Sequence, residues 1–158
     1  MIFITVGSQK FQFNRLLKGI DELVANHTVE EEVFVQTGYS VYETKNCKFK
    51  QFLDRDEFAE IVDKANIVIT HGGTGAIIAA VKKGKKVIAV PRRVKYGEHV
   101  DDHQIQIVRQ FKELDLIFEC DDCEKLGEAL EYVKKTKFKD YQSNTQAIID
   151  SIEQFIHE

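Results

Sequence analysis

The residues best suited to chemistry in this 158-residue chain fall in three short segments. The first is His71-Gly72-Gly73-Thr74-Gly75. Glycines let backbone N–H groups come close to a ligand, because no Cβ intervenes. A helix starting directly after such a turn adds unpaired donors and a partial positive charge, which suits a phosphate or diphosphate. The pattern is not a P-loop, since no Gly-Lys-Ser/Thr follows, nor the GxGxxG dinucleotide fingerprint. Glycines also punctuate strand-to-helix turns that hold no ligand, so the turn alone leaves both readings open.

The second segment runs from Arg92 to Gln104 and crowds Glu98, His99, Asp101, Asp102 and His103 into a few residues. Its acids and imidazoles suit a metal, or hydrogen bonds to sugar hydroxyls, or simply a solvated loop and helix start. A spacing of four residues between His99 and His103 would put both rings on one face of a helix. No HExxH pattern accompanies them, and no metal is expected. The third segment, Gly7-Ser8, is a lone turn and weak evidence by itself. Cys120 and Cys123 have CxxC spacing, but no second ligand pair follows, so they read as ordinary thiols near a strand end.

The elements that must position these segments alternate between strand and helix. Residues 2–6, 33–35, 49–53, 67–70, 87–90 and 116–118 read as strands. Helices are expected over about 13–25, 54–64, 76–83, 99–114, 122–136 and 140–157. Asp54 with Glu57 forms a capping-box-like start for the second helix. The order βαββαβαβαβαα predicts an α/β, Rossmann-like, mostly parallel sheet with helices on both faces, in one domain over 1–158. Ligands in such sheets bind beyond the carboxyl ends of the strands, so all three segments should face one crevice.

Thr5-Val6-Gly7-Ser8-Gln9, Thr70-His71-Gly72-Gly73-Thr74-Gly75, Pro91-Arg92-Arg93 and the string Lys95 to Gln104 together resemble the glycosyltransferase family 28 C-terminal domain, over essentially residues 1–120. The likeness is to small bacterial capsule and exopolysaccharide subunits, relatives of the catalytic subunit of the dolichol-linked UDP-GlcNAc transferase. The resemblance implies one half of a GT-B fold that binds a UDP-sugar. Gly72, Gly73, Thr74 and Gly75, with His71 at their head, would hold the diphosphate, and Gly7 and Ser8 would lie near the same crevice. Phe52 and Leu53 match the place where the family holds uracil, and Asp102, His103 and Gln104 the stretch that contacts the donor sugar. The wider family often places a ribose-binding glutamate where Ala79 stands, so the ribose has no assigned partner.

The resemblance also implies an inverting, metal-free transferase whose acceptor half is a second, membrane-associated protein and whose acceptor is a lipid-linked saccharide. The family's general base usually sits on the acceptor side; Glu98 and His99 are the candidates within this chain. The competing readings are a UDP-sugar epimerase of the same superfamily and a non-catalytic nucleotide- or phosphate-binding module that activates a partner. A net charge of −4 argues against nucleic acid as a partner. No apolar run approaches a membrane span or signal peptide, so the chain is expected in the cytoplasm, drawn to the inner face of the membrane by its partner. An apolar stripe, Ile148, Ile149, Ile152, Phe155 and Ile156, could pack on the domain or dock the partner. Without that partner, homo-oligomers are the expected alternative.

Overall fold

The computed structural model describes residues 1–142 together with 147, 150, 151 and 154. The strands are β1 (Ile2–Thr5), β2 (Val33–Gln36), β3 (Lys48–Lys50), β4 (Ile67–His71), β5 (Lys86–Val90) and β6 (Phe118–Glu119). The helices are α1 (Asn14–Ala25), α2 (Arg55–Lys64), α3 (Thr74–Lys82), α4 (His103–Glu113) and α5 (Leu126–Lys134). The six strands form one parallel sheet in the order β3-β2-β1-β4-β5-β6. This is the doubly wound order of dinucleotide-binding folds, with its switch point between β1 and β4.

A parallel sheet is covered on both faces, so its central strands are near-continuous apolar runs, here closing in Thr5 and in Thr70-His71 at their carboxyl ends. Ile2, Phe3 and Ile4 of β1 and Val68 and Ile69 of β4 are all fully buried. Ile2, Ile4 and Ile69 face a cluster with Leu16, Leu17 and Ile20 of α1 and Leu126 and Leu130 of α5. Phe3 and Val68 face the opposite cluster, with Val62 of α2, Ile77 of α3 and Phe111 of α4. No helix among the described residues is long and apolar enough to cross a membrane.

Several expected boundaries move, among them the start of the third helix, at Thr74 rather than 76, and of the fifth, at Leu126 rather than 122 after a 3-10 turn. The third strand covers Lys48–Lys50 rather than 49–53, and all three residues are exposed on the sheet edge. Asp54 takes the N–H of Glu57 and starts α2, so the chain must turn at Phe52-Leu53 instead of extending the strand. The fourth helix begins at His103, not 99. The chain first makes a single 3-10 turn, Val94–Tyr96, which closes at Gly97 with φ 69°, so His99 lies outside any helix. The last strand is Phe118–Glu119 rather than 116–118, because only Ile88 and Ala89 offer it partners. The helix expected over 140–157, with its apolar stripe, lies outside the described residues.

Candidate functional site

β1 and β4 pair in register, Thr5 opposite Thr70, so the turns that follow them emerge side by side. Gly7 to Gln9 leave β1, and Gly72-Gly73 leave β4. Gly73 is the N-cap of α3 and makes no side-chain cap bond, which leaves the first N–H groups of the helix open to a ligand. A cavity of about 470 Å³ opens here, walled by Phe52, Leu53, Arg55 and Phe58 on one side and Gly7, Ser8, His71, Gly73 and Gly75 on the other. A second cavity of about 440 Å³ is lined by Thr74, His99, Asp101, His103, Gln104 and Ile107. Gln9 and Gly73 line both, so the glycine turn sits where two compartments meet. The Gln9 Oε1 is buried with no partner among the described residues.

His71 organises the junction. Its Nδ1 accepts the N–H of Gly73 at 3.1 Å, which places the ring proton on Nε2. A Cβ added at Gly7 would fall 2.5 Å from Nε2, and one at Gly73 would fall 2.1 Å from Cε1. Only glycine fits on either side of the ring, and Gly7 also needs it for its φ of 78°. Burial, helped by the charge of Arg92, pushes the imidazole down to about 3. His71 is therefore a neutral, fixed hydrogen-bonding group at physiological pH.

The Gln104 amide is committed to the protein. Its Oε1 accepts from the N–H of Gly72 at 2.9 Å and from that of Arg92 at 3.0 Å. Its Nε2 lies 3.3 Å from His71 Nδ1. The residue is buried, so its main work is to tie the turn after β4 to the loop after β5. Gly72 is likewise behind the crevice; it lines neither cavity, and its N–H is the one Gln104 holds. Asp102 lines neither cavity, and its carboxylate accepts from Val94 N.

Glu98 is placed for structure rather than for catalysis. It is fully buried, and its carboxylate receives Arg15 at 3.0 and 3.1 Å and the N–H of Arg93 at 3.0 Å. With both oxygens engaged by a guanidinium and neither cavity in reach, it has no access to an acceptor hydroxyl. His99 does face the second cavity. Its ring stacks on Phe11 at 5.7 Å, and its Nδ1 lies 3.3 Å from Asp101 Oδ1. The shared helix face expected for His99 and His103 is absent, yet Asp101 joins them, with His103 Nδ1 3.6 Å from Oδ2.

Sequence reasoning passed over Gln36 and Arg55. Gln36 ends β2 as a buried amide that donates to Gly7 O and Gln51 O and accepts from Thr5 Oγ1. An amide closing the run Val33-Phe34-Val35 was the available signal, since a buried polar group needs specific partners. Arg55 carried no sequence signal, because its place on the cavity wall depends on where α2 begins. The thiols of Cys120 and Cys123 are buried, which pushes them up to about 11 and 12 and leaves them unreactive.

The family model described as glycosyltransferase family 28 C-terminal domain matches residues 1–158. The chain belongs to this family. Among curated proteins, the UDP-N-acetylglucosamine transferase subunit ALG13 of Mus musculus is 25% identical over 130 residues, covering 75% of this chain and 10% of that protein. The chain thus spans about a tenth of the length of the curated relatives it matches. The solution structure of ALG13 superposes with a TM-score of 0.59 at 20% identity, over 98% of this chain and 94% of that one. The glycotransferase of kitacinnamycin gives a TM-score of 0.63 at 15% identity, over 99% of this chain and 38% of that one. The fold of the family 28 domain is therefore the Rossmann-like half found in GT-B glycosyltransferases, here with its crevice at the β1/β4 switch point.

Proposed function

We propose that the chain is the donor-binding subunit of a two-component inverting glycosyltransferase, which moves a sugar from a UDP-sugar to a lipid-linked acceptor in polysaccharide biosynthesis. The observation that carries this reading is the junction at Gly73. One compartment has the aromatic and aliphatic wall a nucleobase needs, and the other has the polar lining a hexose needs. The open N-terminus of α3 lies between them, where a diphosphate joining base and sugar would sit.

In this reading the backbone N–H groups at the start of α3, from Thr74 onward, with Nε2–H of His71, stabilise the charge that grows on the departing UDP. They do so without a metal ion. An acceptor hydroxyl attacks the anomeric carbon, the bond from that carbon to UDP breaks, and the hydroxyl proton passes to a base. Within this chain the candidate for that base is His99, whose Nδ1 accepts the N–H of Asp101. The acceptor compartment comes from a membrane-associated partner, which recruits this subunit to the inner membrane face.

The test is calorimetric titration of the purified chain with UDP, ADP and a panel of UDP-sugars without added metal. Saturable uridine-selective binding that is lost in Gly73→Asp supports the reading, and the ranking of sugars narrows the donor. Co-expression with candidate acceptor subunits follows. Turnover that requires both proteins supports the split enzyme. Tight nucleotide binding with no turnover in any combination would instead make the chain a regulatory module.

A further inference from the structure

Arg92 is the largest fully buried side chain among the described residues, and it plays no part in the donor-site roles assigned above. Its guanidinium donates to the carbonyls of Phe11, Gln12 and Glu98 at 3.1, 3.2 and 3.1 Å, and to that of Val6. The group also lies 5.0 Å from the centre of the Phe13 ring. Its Nε is buried without a partner, and among the described residues Arg92 makes no ion pair.

The charges around it do not cancel. Glu98 is the nearest carboxylate by its influence on Arg92, but its oxygens are taken by Arg15 and by Arg93 N. Asp121 is paired with Arg93. Buried Glu98 and exposed Asp121 are thus taken by Arg15 and Arg93, and the guanidinium left without an ion pair is the innermost one, Arg92. Asp101, half-buried, is shared by His99 and His103, and Asp102, exposed, bonds Val94 N. Burial draws the Arg92 guanidinium down to about 10, which still leaves it charged at neutral pH.

A buried unpaired cation is costly unless an anion completes it. The Arg92 side chain holds Val6 O, one residue before Gly7, and its own N–H shares Gln104 Oε1 with Gly72. Its charge reaches His71. Both turns that frame the crevice are thus fastened to this residue, the β1 turn by its guanidinium and the β4 turn, through Gln104, by its backbone N–H. We propose that the diphosphate of the bound nucleotide is the anion that balances Arg92, through the protein interior rather than by contact, and that Arg92 sets the preference for a nucleoside diphosphate over the uncharged nucleoside. The inference rests on reading the crevice as a diphosphate site. It makes Arg92 a positioning residue with an electrostatic duty, distinct from the donors at the start of α3 that would touch the phosphates.

The experiment titrates the full chain with UDP and with uridine, in the wild type, Arg92→Lys and Arg92→Gln. Removing a charge that acts through a poorly screened interior should shrink the UDP-to-uridine affinity ratio by about 10- to 100-fold in Arg92→Gln, with uridine affinity held within about twofold. Arg92→Lys, which keeps the charge but not the fork of bonds, should retain most of the ratio. A purely structural arginine would weaken both ligands alike, and that result overturns the inference. The wild type supplies a second reading should the glutamine variant not fold: a preference set by a buried charge survives about 1 M salt, whereas one set by surface charges collapses, and collapse also overturns it. A wild-type chain that never prefers UDP to uridine removes the diphosphate reading itself. A preference left unchanged in Arg92→Gln removes this inference alone.

Discussion

The amide oxygen of Gln104 lies 2.9 Å from the backbone nitrogen of Gly72, across 32 residues of sequence. It takes a second N–H, from Arg92, at 3.0 Å. Gln104→Ala strands both buried donors, so it should cost about 2–4 kcal/mol, measurable by urea denaturation. Asp102→Asn and His103→Asn, which are exposed, should stay within about 0.5 kcal/mol of the wild type. A Gln104→Ala variant of normal stability but altered sugar preference would return this residue to the donor-contact role suggested by the family pattern.

Two glycines of one turn should behave in opposite ways. At Gly73 a methyl would collide with the His71 ring at 2.1 Å, while at Gly75 it meets nothing within 4 Å. Gly73→Ala is expected to destabilise by about 1–3 kcal/mol and to abolish nucleotide binding as His71 is displaced. Gly75 lies inside α3, so Gly75→Ala should stabilise by about 0.5–1 kcal/mol through helix propensity and a less flexible unfolded chain. Thermal denaturation of the pair, with and without UDP, checks both.

His71 makes stability depend on pH. Burial comes first among the causes that lower its folded value to about 3 from 6.5. In that interval the unfolded chain binds a proton that the folded chain refuses. Stability from this source is complete above pH 6.5 and declines as pH falls towards 3. In chemical denaturation between about pH 5 and 7, His71→Gln should show a shallower loss on acidification than the wild type. Equal slopes would mean that the ring is not held neutral.

Glu98 and His99 adjoin in sequence but should separate cleanly in assay. Glu98→Gln weakens a buried pairing with Arg15 and should cost about 2–4 kcal/mol of folding stability. His99→Asn should leave folding close to normal. If His99 is the base, the same change should lower turnover of the assembled enzyme by about 10²- to 10⁴-fold. Full turnover by the His99 variant would move the base to the partner.

The alternation of apolar runs and amphipathic helices was legible because it follows local backbone periodicity. Ile67-Val68-Ile69-Thr70 followed at once by His71-Gly72-Gly73 predicted both a buried strand and a close-approach turn, and β4 and α3 meet there. The end of the third strand was less legible. Phe49 to Leu53 has β-forming residues, but strand length at a sheet edge is decided by the partner strand and by the Asp54 cap.

Sequence by itself determined the parallel α/β architecture, the three polar segments and their common side of the sheet, because strand, turn and helix preferences act over a few residues. Tertiary structure alone decided which polar side chains face ligand and which are spent within the protein. Glu98 and His99 are neighbours in the chain, yet one is closed off by Arg15 and the other opens onto a cavity. Gln104 and Gln36 hold loops from distant strands, and Arg92 is sealed among carbonyls of the β1 loop. Those outcomes depend on partners roughly 30 to 80 residues away, which burial compels each polar group to find and which no local pattern encodes.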